Sequence, residues 1–379
     1  MTTQANRPAS GAVAILGWVA LGIFSAAGVV ATAQTRRMVV DRGPIQNLDL
    51  YWGSTSPNRV PVSPFTFVSE NLHATQPKAF LRDANGVLWS AKWGKEVHAE
   101  VAATRLAWAM GLQVEETYYV DDGQIIFPRK RPTFHRLSPF IDKTGRFLSG
   151  ARFERRGADV VSKGSWDLDE DPRPADGGYP ILILMNVVLA NWDSSDANTK
   201  ILSATDASGP TDWYMMGDYG ASFGKMGGHF SHSKYKLQDY LRNKPVITSA
   251  DNRTAHLGYS GFNAAGHASV PIEAVRWFAR RASGLSLKQV EDAFRAAGAS
   301  DADVHGFAQA TYQRIQEVVR AAGPINVRAL RTVGRGRPSG RPGTEFVSNL
   351  SPMLNTGVPV PLTSRDPRRA SAGISARDR

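Results

Sequence analysis

The segment 180–224 constrains this chain most. It reads PILILMNVVLANWDSSDANTKIL, then a polar spacer, then WYMMGDYGASFG. An apolar stretch leads into a polar loop carrying Asp193, Asp196 and Asn198, and a second apolar stretch ends in Asp218-Tyr219-Gly220. Residues 179–192 are interrupted by Asn186 and are too few to span a bilayer, which takes ~20 residues, so they predict a buried helix. Residues 199–203, a turn through 206–210 and residues 213–216 predict a β-hairpin between the two loops. Glycines at 217 and 220 permit a tight bend around Asp218. Two acidic tips on neighbouring hydrophobic supports can hold one divalent metal together with phosphate groups. The competing reading is local, with Asp193 or Asp196 capping backbone N–H groups in a turn.

Upstream, a second set of charged residues sits in a different texture. Residues 65–68 are β-prone, 72–76 form a turn, 78–82 a second strand, and 87–93 a third. Asp83-Ala84-Asn85-Gly86 is a hairpin signal between the last two. Lys92 falls near the end of the third strand, flanked by Trp89 and Trp93. Such a strand is buried on at least one face, where a charge requires a partner. Residues 96–110 predict a helix with Val97, Val101 and Leu106 on one stripe, Glu100 in its middle and Gly111 as its stop. Residues 113–127 predict two further strands around Asp121-Asp122-Gly123. Taken singly, Lys92 reads as an exposed strand lysine and Glu100 as a solvated helix residue; their order favours a pair. No glycine-rich phosphate loop is present, so the 72–76 turn, with Ser69, His73 and Thr75 as donors, would have to cover any phosphates.

The chain has 379 residues, 42% of them hydrophobic, enough for one large or two medium domains with a real core. It has no cysteine, which excludes disulfides and thiolate metal sites. The formal charge of +11 fits an anionic partner, though much of the excess lies in the C-terminal tail. Residues 11–33 are almost wholly apolar and long enough to span a bilayer. Ala31-Thr32-Ala33 resembles a signal cleavage site, whereas Arg36, Arg37 and Arg42 outweigh Arg7 and favour a retained anchor with the rest of the chain inside. The expectation is a protein either membrane-anchored by this segment or exported after cleavage.

Residues 38–64 read as an irregular lead-in, and 128–178 as a crossover with an irregular insertion. Asp167, Asp169 and Asp171 alternate as in a calcium loop, but Pro172 and Gly178 stand where that loop needs glycine and glutamate. Residues 271–282, 286–297 and 300–320 predict helices, the last two opened by capping serines. Beyond Pro324 the chain is rich in Arg, Gly, Pro and Ser and is expected to be disordered. Gly258-Tyr259-Ser260-Gly261 lacks the spacing of a serine-hydrolase elbow. His229 and His232 lack a third metal ligand. No nucleic-acid-binding signature is visible, so no specific nucleic-acid binding is expected.

WSAKWG around Lys92, EVHAEVAATRLAWAMGL around Glu100, NWDSSDAN and GDYGASFGK, in that order, resemble the atypical kinase-like proteins. The HipA-like kinases are nearest, with phosphoinositide kinases and secretory-pathway protein kinases more distant. Asn198 follows Asp193 by five positions, as in the kinase catalytic loop. The resemblance implies an α+β, two-lobed protein-kinase-like fold, with a small β-rich N-lobe holding one helix and a larger, mainly helical C-lobe. The corresponding divisions are a signal or anchor at 1–37, the lead-in at 38–64, the N-lobe at 65–130, the C-lobe at 131–323 and the tail at 324–379. It implies transfer of the γ-phosphoryl group of ATP, with Mg²⁺ or Mn²⁺, to a protein, lipid or small-molecule acceptor. Lys92 would bind nucleotide phosphates, Glu100 would position it and Thr75 would contact the nucleotide. Asp193 would be the catalytic base, and Asn198 and Asp218 would ligate the metal. Two departures stand out: Trp192 precedes Asp193 where conventional kinases have arginine, and the glycine-rich loop is missing. The alternative is a kinase-fold module that binds or scaffolds at the membrane without catalysis.

Overall fold

The computed structural model describes residues 34–323, apart from 75, 157–160, 170–172, 207–208 and 229–230. The apolar segment 11–33 and the basic tail 324–379 therefore lie outside the described residues. Among the described residues no helix is long and apolar enough to cross a membrane.

In chain order, β1 (Thr35–Arg37) precedes an irregular stretch, then the meander β2 (Phe65–Asn71), β3 (Lys78–Arg82) and β4 (Leu88–Lys92). Helix α1 (Val97–Ala109), β5 (Thr117–Val120), β6 (Ile125–Ile126), β7 (Ala151–Arg155) and β8 (Val161–Gly164) follow. Next come α2 (Gly178–Val188), β9 (Thr199–Asp206), β10 (Gly209–Met216), α3 (Leu237–Tyr240), β11 (Ile247–Ala250), β12 (Thr254–Leu257) and β13 (Ser269–Pro271). Helices α4 (Ile272–Ala282), α5 (Leu287–Ala296) and α6 (Asp301–Ala321) close the described chain. The result is an α+β fold: a β-rich unit carrying one helix, and a larger unit built around helices and two small sheets.

The β-rich unit is a six-stranded sheet of order β5-β7-β4-β3-β2-β6. Its meander is the one read from the hydrophobic alternation. In β4, Trp89 and Ala91 point to one face while Ser90 and Lys92 point to the other, because strand side chains alternate. The first face closes over a buried cluster with Phe65, Leu81, Phe153 and Phe147. Asp83 fixes the β3–β4 turn by accepting N–H bonds from Asn85 and Val87, and the Trp89 indole N–H donates to its other oxygen at 3.0 Å.

The two strands expected within 113–127 form as β5 and β6, and they lie at opposite edges of the sheet: β5 pairs with β7, and β6 runs parallel to β2. One sequence expectation needs correction here. The β-rich unit does not end at 130. Strand β7 inserts between β4 and β5, so the sheet reaches Arg155. Chain from 134 to 147 packs against its apolar face through Leu137, Ile141 and Phe147. The reason β7 is not apparent in the sequence is its content: ARFER carries two charged side chains that face inward, and charge alternation ordinarily reads as solvated surface.

Helix α1 lies against the other face, along β5 and β7, and against α5. It is buried on nearly every side, as its alanine-rich sequence permits. It ends at Gly111, whose φ of +92° is the left-handed stop expected after a helix. The lead-in is irregular but not loose: Met38, Ile45 and Leu50 are buried, and the Arg105 guanidinium donates to the Tyr51 carbonyl, Thr55 Oγ1 and the Thr117 carbonyl.

Helix α2, apolar all round, forms the centre of the larger unit, with α4 and α6 packed near it. The β9–β10 hairpin forms as expected, with Thr199 opposite Met216, so both loops at its base emerge side by side. The cap of α5 is a full capping box: Ser286 Oγ accepts the Gln289 N–H, and Gln289 Oε1 accepts the Ser286 N–H.

Candidate active site

Lys92, at the end of β4, is 2% exposed and meets three carboxylates. Its Nζ lies 2.7 Å from Glu100, 3.1 Å from Glu96 and 3.0 Å from Asp218. Burial alone would lower its pKa; Glu100 and Asp218 together overcome that and raise it, so the ammonium stays charged. Glu100 is gripped from the far side too, by Arg152 of β7 at 2.5 Å. Arg152 in turn pairs with Glu154 at 2.5 Å, and Glu154 with Arg156 at 2.6 Å and Lys200 at 3.4 Å. Lys200 also binds Glu115. A continuous chain of buried ion pairs thus runs from the β-rich sheet to β9.

Asp218 follows β10 by two residues, at the bend the sequence predicts. One oxygen faces Lys92 and the other accepts the Gly220 N–H at 2.7 Å. Burial works against its charge, but Lys92, that N–H and Arg152 prevail and hold the carboxyl at about 2. A Cβ at Gly220 would sit 2.8 Å from Glu96 Oε2, so only glycine lets this turn approach α1.

The loop after α2 is shaped by local bonds. Ala190 takes φ +52°, the left-handed conformation that ends the helix and redirects the chain. Asn186 Nδ2 donates to Ser194 Oγ at 2.8 Å and faces His267 Nε2 at 3.3 Å, while Tyr259 OH donates to the Asn191 carbonyl at 2.9 Å. This buried polar network fixes both sides of Asp193. Burial pushes the Asp193 carboxyl above its ordinary 3.8, against the pull of the Asn198 amide and Lys234. Asn198 Nδ2 donates to the Asp193 carbonyl at 2.8 Å, which leaves its amide oxygen as the group that can meet a cation. Asp196 has a structural partner, the Leu168 N–H at 2.9 Å, in keeping with its reading as a capping residue.

A cavity of about 270 Å³ opens between these elements, bounded by Glu96, Trp192, Asp193, Asn198, Asp218 and Lys234 among others. Four of the residues singled out from the sequence thus meet around one space: Asp193, Asn198 and Asp218 line it, and Lys92 stands directly behind Asp218. Glu100 is one step further back. Thr75 lies outside the described residues; Ser69 and His73 of the same turn are exposed.

Sequence reasoning missed Arg152, Glu154, Glu96 and Lys234. Lys234 binds the free oxygen of Glu96 and lies 5.1 Å from the centre of the Trp192 ring. Trp192, which precedes Asp193, stacks on His232 with ring centres 3.6 Å apart and donates its indole N–H to the Ser233 carbonyl. The helical spacing of Glu96 and Glu100 was the one available signal. His232 therefore has an aromatic partner, and His229 lies outside the described residues.

The donor chemistry also separates two candidate metal positions. Oxygens of Glu96, Glu100 and Asp218 cluster within 4.8 Å of one another, but Lys92 Nζ bonds to all three and fills that place. Asp218 and Asn198 instead offer two hard oxygen donors on the cavity wall, a set that suits a magnesium-like ion whose other ligands are phosphates and water.

No protein-family model matches the chain, and no curated protein matches it. Solved structures do. The proinflammatory kinase CtkA of Helicobacter pylori is similar at 12% identity, covering 72% of this chain and 99% of that one, with a TM-score of 0.43. The Golgi casein kinase is similar at 11% identity, covering 73% of this chain and 75% of that one, with a TM-score of 0.37. The same kinase with Mn/ADP bound gives 10% identity, 71% and 75% coverage, and a TM-score of 0.34.

Proposed function

We propose that this chain is a phosphotransferase that moves the γ-phosphoryl group of ATP to a hydroxyl acceptor, with a divalent ion. The observation that carries the reading is the buried Lys92, held 2.7 Å from Glu100 and 3.0 Å from Asp218, behind the wall of a cavity that Asp218, Asp193 and Asn198 line. Asp218 and Asn198 would hold Mg²⁺ or Mn²⁺. When bound, that ion neutralises charge on the phosphates. Lys92 adds a fixed positive charge beside them, and Glu100 and Arg152 keep it aimed. Asp193 accepts the proton of the acceptor hydroxyl as its oxygen bonds to phosphorus and the bond to ADP breaks. Its raised pKa moves it toward the range of an effective base.

The test is transfer of label from γ-labelled ATP to protein, lipid and small-molecule acceptors in turn, with ATP hydrolysis as a parallel readout. Wild-type protein is expected to transfer or release label, and Asp218→Ala to lose both. Activity that survives intact in Asp218→Ala sinks the assignment. ATP binding with no turnover on any acceptor would instead support a kinase-fold binding module. The acidic cavity lies in a chain whose segment 11–33 we take as a membrane anchor or export signal; epitope accessibility on either side of the membrane distinguishes the two.

A further inference from the structure

The register of the β-rich sheet places three cations in a row. Lys78 of β3 stands opposite Lys92 of β4, and Lys92 stands opposite Arg152 of β7. Direct cross-strand partners share a face, with Cβ atoms ~4.5–5.5 Å apart, and like charges so placed repel. Each therefore requires an anion. Lys92 has three carboxylates and Arg152 has Glu100 and Glu154. Lys78 has none: among the described residues its ammonium makes no ion pair and no hydrogen bond. It is half-buried, not a solvated surface lysine, and β3 is an interior strand. Burial, Arg152 and Lys92 all depress its pKa, and Glu154 and Glu100 do not restore it.

We infer that Lys78 is a binding residue for a polyphosphate chain, which it shares with Lys92. Lys78 opens β3 at the end of the sheet where β4 delivers Lys92; Lys92 is already buried among its carboxylates, so among the described residues Lys78 is the cation of this row that lacks a counter-charge. A single carboxylate or a monophosphate is long enough to bridge two such neighbours, but not to reach further into the site. A di- or triphosphate is long enough to meet both lysines and to present its far end to a divalent ion held by Asp218 and Asn198. The chain has no glycine-rich loop to cradle phosphates with backbone N–H groups, and a second lysine on the sheet supplies that neutralisation by other means. That the polyphosphate belongs to a nucleotide rests on the phosphotransferase reading; the anion subsite rests on the register and on the missing counter-charge.

Calorimetric binding to the full chain in mild detergent tests this, with magnesium tripolyphosphate, magnesium ATP and adenosine as probes. Lys78→Met is expected to weaken tripolyphosphate and ATP about tenfold each, the size of one lost charge-assisted contact, and adenosine less than twofold. Lys78→Arg is expected to restore both phosphate ligands to within about threefold. The ligand-free melting temperature of Lys78→Met should be unchanged or higher, because a repulsion is removed. Equal tripolyphosphate binding by wild type and Lys78→Met, or none by wild type, overturns the assignment. So does a lower melting temperature accompanied by equal loss of all three ligands. Lys78-dependent binding of tripolyphosphate without ATP binding upholds the subsite and removes the nucleotide reading instead.

Discussion

Lys92 meets three carboxylates and Glu100 meets two cations, so neither can lose a partner without leaving a buried charge exposed to low dielectric. Arg152→Met makes the point cleanly, because it deprives Glu100 and Glu154 together. It is expected to lower the unfolding free energy by about 3–5 kcal/mol, the usual result of breaking a buried pair from one side. Urea denaturation checks this, and a loss under about 1 kcal/mol would contradict the arrangement, since that is the scale of a surface pair. At Asp193 the expectation concerns rate instead. Asp193→Asn keeps the shape and removes the base, so phosphoryl transfer should fall about 100-fold or more while ATP affinity moves less than about twofold. Steady-state kinetics beside direct binding separates the two. Lys92, Glu100, Asp193, Asn198 and Asp218 could be picked out of the sequence because each sits at a recognisable station: strand end, helix, loop, and the bend after a strand. Arg152, Glu154 and Lys234 were not, since a charged residue in a short strand or loop looks solvated until its partner from elsewhere in the chain is known.

At the scale of elements, the loop between α2 and β9 depends on His267. Its Nδ1 donates to the Asn263 carbonyl, its Nε2 faces Asn186, its ring stacks on Tyr259, and Asp169 is the acidic group near it. Burial holds its pKa down at about 4, against an ordinary 6.5. A depressed folded-state value means the contribution is complete above pH 6.5 and is lost as pH falls toward about 4. Up to about 3 kcal/mol is at stake, because each tenfold loss of proton affinity on folding is worth ~1.4 kcal/mol. Denaturation midpoints measured from pH 7 to 4.5 should decline in wild type and be flatter in His267→Gln across that window. The capping box of α5 gives a smaller expectation: Ser286→Ala should cost about 1 kcal/mol, measured the same way. Helix starts of this kind were legible because capping is local. The pairing of β5 and β6 was not legible, for the complementary reason. Asp-Asp-Gly marks a turn, but it does not say which strand the chain joins next, and here the next strand crosses to the far edge of the sheet.

For the whole molecule, the two hydrophobic clusters meet through α1 and through the ion-pair chain that ends at Lys200. A ligand seated between them should stabilise both together. Magnesium ATP at 100 times its dissociation constant is expected to add about 2.7 kcal/mol to unfolding, and Asp218→Ala to abolish the gain. Differential scanning calorimetry with and without ligand reads this directly; an unchanged gain in Asp218→Ala would place the nucleotide elsewhere. The double grip on Glu100 has one more consequence. Helix α1 is tied to two strands through Lys92 and Arg152, to the lead-in through Arg105, and to the end of α5 where His98 Nδ1 lies 2.7 Å from the Ala297 carbonyl. Swinging it outward would break all of these at once. A ligand that needs α1 moved outward is therefore expected to bind more weakly than one that enters the cavity as it stands.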